Sequence, residues 1–270
     1  MTASRFTPLL LASSLALACT GAHAQAQADD DKISPDRPDF TNSSTVVGQG
    51  RFQVEAGLQW DRERDPDLHT RTLTTPLTLR YGIGETTELR LETSGRTIIH
   101  ASDPSSGEHT TTAGYDDSAI GVKWHIADQQ GKVPSYGLLV HALLPSGSSA
   151  LRGQGLRPAV YVPAEWDLPN DFSLGIMPGM GIDHNDQGAH FNYGVMSASL
   201  GKDFNERLHG FLEVALPQIA RAGNGGTQAS LDTGLAWLVD KDVQVDALVM
   251  HGLNRNTPGL SLGFGLSFRR

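Results

Sequence analysis

Three features of the sequence predict an all-β fold: period-two alternation in segment after segment, connections that alternate long and short, and tryptophans at segment ends. The form they predict is a transmembrane up-and-down antiparallel β-barrel of about twelve strands. Alternation matters because successive side chains of a strand point to opposite faces. Here one face is large and apolar and the other is polar, charged or bare.

The elements follow in order. "RFQVEAGLQW" (51–60) sets Phe52, Val54, Ala56, Leu58 and Trp60 against Arg51, Gln53, Glu55 and Gln59. "TLTTPLTLRY" sets Leu73, Leu77, Leu79 and Tyr81 against Thr74, Thr78 and Arg80. "TELRLETSGR" sets Leu89 and Leu91 against Glu88, Arg90, Glu92 and Arg96. "SAIGVKWHI" sets Ile120, Val122, Trp124 and Ile126 against Gly121, Lys123 and His125. Further segments lie near 136–145, 158–166, 172–181, 190–201, 207–216, 229–238 and 243–251. The segment 190–201 slips phase between Val195 and Leu200, which reads as a bulge. The last segment, 259–268, carries Leu260, Leu262, Phe264, Leu266 and Phe268 opposite Ser261, Gly263, Gly265 and Ser267. Each segment is near the 9–11 residues that a tilted strand needs to cross a bilayer.

The connections 61–70, 98–112, 146–157, 182–189, 217–228 and 252–258 are long and polar. Those between them, "GIGET", "ADQQGKVPS", "DLPND", "KDFNE" and "VDKD", are mostly tight turns. Unequal ends are the mark of outer-membrane barrels, which have short periplasmic turns and longer extracellular loops. An even strand count puts both termini on the periplasmic side. Trp60, Trp124, Trp166 and Trp237 fall at strand ends on the apolar face, as do Tyr81, Tyr136, Phe172 and Phe268. That placement suits interfacial girdles.

The first 24 residues have one basic residue, Arg5, an apolar run too short to span a bilayer, and Ala22-His23-Ala24. They read as a secretory signal peptide cleaved after Ala24. The sole cysteine, Cys19, leaves with it, so no disulfide framework or thiolate metal site is expected. The domains expected are then 1–24 signal peptide, 25–50 irregular periplasmic segment and candidate plug, and 51–270 barrel. The formal net charge of −9 argues against nucleic acid as a partner.

Arg51, Glu55, Arg80, Glu88, Arg90, Glu92, Lys123, Glu213, Asp232 and Asp246 fall on the inner face and are the candidate lumen-lining and selectivity residues. Arg96, His125, His141 and Glu165 share that face. So many ionisable groups call for a hydrated or internally paired interior, because an apolar core does not accept them unpaired. His125 and His141 are placed near one another on adjacent strands. The expected partners are outer-membrane lipid, a small solute and the barrel-assembly machinery.

No enzyme is expected. Gly259-Leu260-Ser261-Leu262-Gly263 matches G-x-S-x-G but lies inside an alternating strand, not between a strand and a helix. No metal or cofactor motif appears among the scattered histidines. The outer faces lack the polar trio an outer-wall hydrolase needs. Asn42-Ser43-Ser44 matches a glycosylation sequon without meaning in a bacterial envelope protein. Two readings follow: a passive channel, or a closed structural or adhesive barrel acting through its loops.

"ISPDRPDFTNSSTVVGQGRFQVEAGLQW" resembles the opening of a bacterial family of outer-membrane transporters named for a phenol meta-pathway degradation gene cluster. The resemblance is carried by Asp36-Arg37-Pro38-Asp39-Phe40 and by the strand from Gly50 through Glu55. "LRYGIGETTELRLE", "LLPSG" (143–147) and "LSLGFGLSFRR" are similar to later parts of it. The chain departs from the usual aromatic terminus of such barrels, since Arg269 and Arg270 follow Phe268. The resemblance implies solute transport, of aromatic or other hydrophobic compounds.

Overall fold

A computed structural model describes residues 32–65, 68–185 and 187–270. The expected signal peptide, its cleavage site and residues 25–31 lie outside the described residues. The strands are β1 (Phe52–Arg64), β2 (His69–Thr74), β3 (Leu77–Gly82), β4 (Thr87–Thr93), β5 (Arg96–Ser102), β6 (His109–Tyr115), β7 (Ser118–Ala127) and β8 (Ser135–Leu144). They continue as β9 (Arg157–Tyr161), β10 (Ala164–Leu168), β11 (Phe172–His184), β12 (His190–Asn205), β13 (Leu208–Ile219), β14 (Ser230–Asp240), β15 (Val243–Gly252) and β16 (Leu260–Arg269). In four places two segments form one crossing: β2 with β3, β4 with β5, β6 with β7, and β9 with β10. Sixteen less four gives twelve antiparallel crossings. β16 pairs with β1 from Gln53↔Arg269 to Arg62↔Leu260, which closes the barrel and leaves no open first or last edge.

The sidedness is the reverse of a soluble protein. Leu58, Ile120 and Phe264 are each more than half exposed on the outer wall. Gln53, Arg80, Lys123 and Glu213 on the inner wall are fully buried. All four tryptophans face outward with the apolar residues of their strands.

Prolines and a glycine interrupt the crossings where a ladder cannot continue. Pro76 and Pro163 lack the N–H that a central strand must donate. Gly95 has φ +70°, a left-handed conformation that glycine takes without strain. The breaks at Thr75–Pro76, Ser94–Gly95 and Asp116–Asp117 lie side by side, joined by Thr75 N to Ser94 O (3.1 Å) and Asp116 N to Gly95 O (2.9 Å).

These breaks correct one expectation. Glu92 and Thr97 both sit on inward register rows, an odd step apart, so the Gly95 break reverses the phase. Arg96 therefore points outward, with its guanidinium 5.5 Å from the Tyr115 ring centre. The phase slip expected between Val195 and Leu200 does not occur: Val195, Ser197, Ser199 and Gly201 share the inner face, and the register shift opposite Gly194–Met196 is an extra residue on β13 between Leu216 and Ile219. The expected loops 61–70 and 98–112 are largely strand, because β1, β2, β5 and β6 extend beyond the apolar belt. In that extension Thr70 and Thr72 alternate with His69 and Arg71, so a hydrophobic pattern does not reveal it.

Candidate functional site

Residues 32–50 do not hang below the barrel. They thread its interior at the end that carries both termini. Ile33 N donates to Lys241 O at 2.7 Å and Gly50 N to Gly82 O at 2.8 Å, which fixes the segment's two ends to the rim.

The inner wall is charged unevenly, and the segment matches it. Arg80 of β3, Arg90 of β4 and Lys123 of β7 form a basic arc. Asp36 meets all three. Lys123 Nζ lies 2.7 Å from its Oδ2, Arg80 lies 3.6 Å from the same oxygen, and Arg90 donates to it. Burial alone would raise the Asp36 pKa, but the three cations outweigh it and hold the carboxyl well below the usual carboxylate range. Glu55 and Glu88 complete the cluster, each accepting from Arg80 at 2.8 Å. Glu92 pairs with Arg90 and His141.

Across the lumen the wall is acidic. Glu213 of β13 accepts the backbone N–H groups of Phe40 and Thr41, each at 2.8 Å, and the Thr41 hydroxyl. Asp232 sits directly opposite Glu213 on β14. Asp246 of β15 accepts from Arg37 at 3.1 Å. Glu165 accepts from Ser44 N at 2.6 Å. Asp36 and Arg37, adjacent in sequence, thus reach opposite walls with opposite charges. Room for Arg37 comes from a paired absence of side chains. A Cβ on Gly265 would lie 2.4 Å from Arg37 Nε, and one on Gly57, its register partner, 2.9 Å from Arg37 Cζ. Asp39 is driven the other way from Asp36: burial, then the nearby Glu213 carboxylate, push its pKa well above the ordinary value.

The candidate residues Glu55, Arg80, Glu88, Arg90, Lys123, Glu213, Asp232 and Asp246 all face inward and are buried, and Glu92 faces inward half-buried. Arg51 precedes β1, its N–H 3.3 Å from Gly48 O. His125 and His141 do not meet. His125 bonds Ser44 O and Asp128, while His141 bonds Glu92 and Tyr161, because their cross-strand partners are Gly137 and Gly121. Sequence reasoning missed Asp117, which accepts from Gly147 N, Gly153 N and Arg157 and holds the loop before β9 over the lumen. It also missed Thr41 and Ser44, whose roles run through backbone N–H groups that leave no residue pattern.

Space remains beside the segment. A cavity of about 490 Å³ opens toward the loop end, lined by Leu139, Leu143 and Met177 together with Arg157, His141 and Tyr161. A second, of about 350 Å³, runs between the segment and a wall of Ser173, Gly175, Ser199 and Gly201. A third, of about 510 Å³, opens at the termini end beside Lys32 and Arg207. The first and second share Asp39 and Asn42; the second and third share Asp203, His209 and Gln244.

Among solved structures, an outer-membrane channel of Pseudomonas putida F1 superposes with TM-score 0.63 at 10% identity, over 88% of this chain and 100% of that one. The β domain of the Bordetella autotransporter BrkA gives 0.55 at 10% identity, over 80% and 98%. At such identity the likeness is one of fold, and the fold is that of bacterial outer-membrane barrels. No curated protein matches the sequence. The family model described as the MetA-pathway of phenol degradation matches residues 35–269, from the residue before Asp36 to the end of β16, and the chain belongs to that family.

Proposed function

We propose that the protein is a passive outer-membrane channel for small solutes, with residues 32–50 as a seated plug that narrows the lumen without filling it. The observation that carries this reading is the chain of three cavities with shared linings, running from one end of the barrel to the other beside the segment. A lumen of this strand number lies between barrels filled by side chains and open porins. The plug then sets the bore.

The solute proposed is small and uncharged at physiological pH, with a ring or short apolar body and a polar group. Leu139, Leu143 and Met177 supply apolar lining in the loop-end cavity, and Arg157, His141 and Tyr161 supply hydrogen-bonding groups beside it. This is the chemistry of simple aromatic alcohols. The closed-barrel reading draws on the tight seating of Asp36. One experiment decides between them: planar-bilayer recording of the refolded protein with and without residues 25–50. Small steps from the full chain and severalfold larger ones from the truncated chain are expected. Silence from both sinks the channel reading.

A further inference from the structure

We infer that the outward face of the loop-end extension of β1, β2, β5 and β6 binds the phosphorylated sugar headgroup of an outer-leaflet glycolipid. The inference starts from register. Arg62 pairs with Arg71, Arg71 with His100, and His100 with Thr111, so these residues form one row across four strands. That row lies two residues beyond Trp60, Leu73 and Ile98, which are outward and apolar. Outward sidedness is therefore shared, and Arg71 and His100 are exposed. His69 and His109 stand on the next row out, and Arg96 lies outward over Tyr115.

The strand acids of this region point the other way, and Asp65, Asp103 and Glu108 stand in the loop tips beyond the row. Asp61 and Glu63 alternate with Arg62 and so face the interior. Among the described residues, neither Arg62 nor Arg71 has an ion-pair partner. Two arginines directly opposite on neighbouring strands repel each other and destabilise the pair. The fold therefore builds a like-charge contact on its outer wall and leaves its counter-anion to come from outside. At the termini end the outer wall shows the usual arrangement: Lys202 has Asp171 at 3.4 Å and lies over the Phe172 ring.

Height selects the occupant. A strand tilted by roughly 40° rises about 2.5 Å per residue along the membrane normal, so the run from Phe52 to Arg62 covers roughly the ~25 Å apolar band. Arg62 and Arg71 then sit at the level of headgroups. Guanidinium forks match phosphate oxygens two at a time. On the loop side of an outer membrane the fixed polyanion at that level is a glycolipid carrying phosphates on its sugars. This inference rests on the outer-membrane reading with both termini periplasmic.

The test titrates the purified full-length protein in detergent with diphosphorylated lipid A, with its dephosphorylated form and with inorganic phosphate, and reads bound lipid by native mass spectrometry. Arg71→Gln, Arg62→Gln and the double variant are compared with Lys202→Gln, with heat-modifiable mobility on SDS gels as the check of folding. Each single variant should bind diphosphorylated lipid A several-fold more weakly, and the double variant at least tenfold. Lys202→Gln should bind like the parent, and the dephosphorylated lipid should bind poorly to all. Unchanged binding by the folded single variants overturns the inference. So does equal binding of the dephosphorylated lipid, or displacement of the lipid by inorganic phosphate at matched phosphate concentration, which marks a site for free anions only. The titration needs no conduction, so a channel that proves silent in a bilayer does not change what lipid binding shows.

Discussion

The two sides of the lumen do opposite work with the same backbone. On the side of β3, β4 and β7, long charged side chains interlock with Asp36, and Arg80 and Lys123 have no exposed surface. On the side of β11 and β12, Ser173, Gly175, Ser199 and Gly201 carry short side chains or none and line a cavity beside the segment, which they touch only through Ser199 at Asp39 and Gly175 at Thr41. The crowded side grips the segment, and the side of short residues leaves open volume. Ionisable residues on an inner wall are therefore a poor guide to which of them a solute meets. Arg80, Glu88 and Lys123 are committed to one another and to the segment, whereas Asp39 and Asn42 line the junction between cavities.

The largest expected effect breaks the crowded side. Asp36→Asn leaves Arg80, Arg90 and Lys123 short of a carboxylate; removing one partner of a buried ionic cluster costs about 3–5 kcal/mol. The segment should unseat, and single-channel conductance should approach that of the truncated protein. A conductance equal to the parent's would show that the cluster does not hold the plug.

A smaller change probes the bare side. Ser173→Trp should lower conductance severalfold while leaving heat-modifiable mobility unchanged. Ser173→Cys, on the same cavity wall, should react with a water-soluble thiol reagent and block the current. Gln53→Cys on the crowded side, where Gln53 bonds Glu55 at 2.8 Å, should not react. Equal reactivity at both sites would erase the contrast.

The smallest effect is a pH dependence set by Asp39. Its pKa in the folded protein lies above the ordinary 3.8, so its contribution to seating is full at low pH and lost as pH rises through that raised value. Asp36 acts in the opposite sense: its contribution is full above 3.8 and lost only as pH falls toward its depressed value. Conductance should therefore rise modestly as pH is raised from about 4 upward, and Asp39→Asn should flatten the profile. A profile identical to the parent's would remove Asp39 from the junction.

The fold is legible because lipid outside and charge inside enforce alternation along whole strands, as in 51–60 and 259–268. Legibility fails where that contrast ends. Beyond Leu73, Ile98 and Ile99 the β2–β5–β6 extension is mostly polar on both faces, so it reads as loop. A single added residue at Gly95 reverses the sidedness of Arg96, and no composition signal marks it. The inward acids are visible by parity, but their partners are not: Glu213, Glu165 and Glu88 each accept from backbone N–H groups of a segment without period.

The Arg37 notch has a consequence for assembly. Its floor is made jointly by Gly57 of the first strand and Gly265 of the last, and Arg269 reaches Lys32 O at 3.1 Å. This part of the dock for the N-terminal segment does not exist until the chain's last strand has paired with its first. The part of the protein synthesised early is thus the part that settles late, and a barrel stalled before closure presents an empty hole. Occupancy of the notch works as a completion mark for the wall around it.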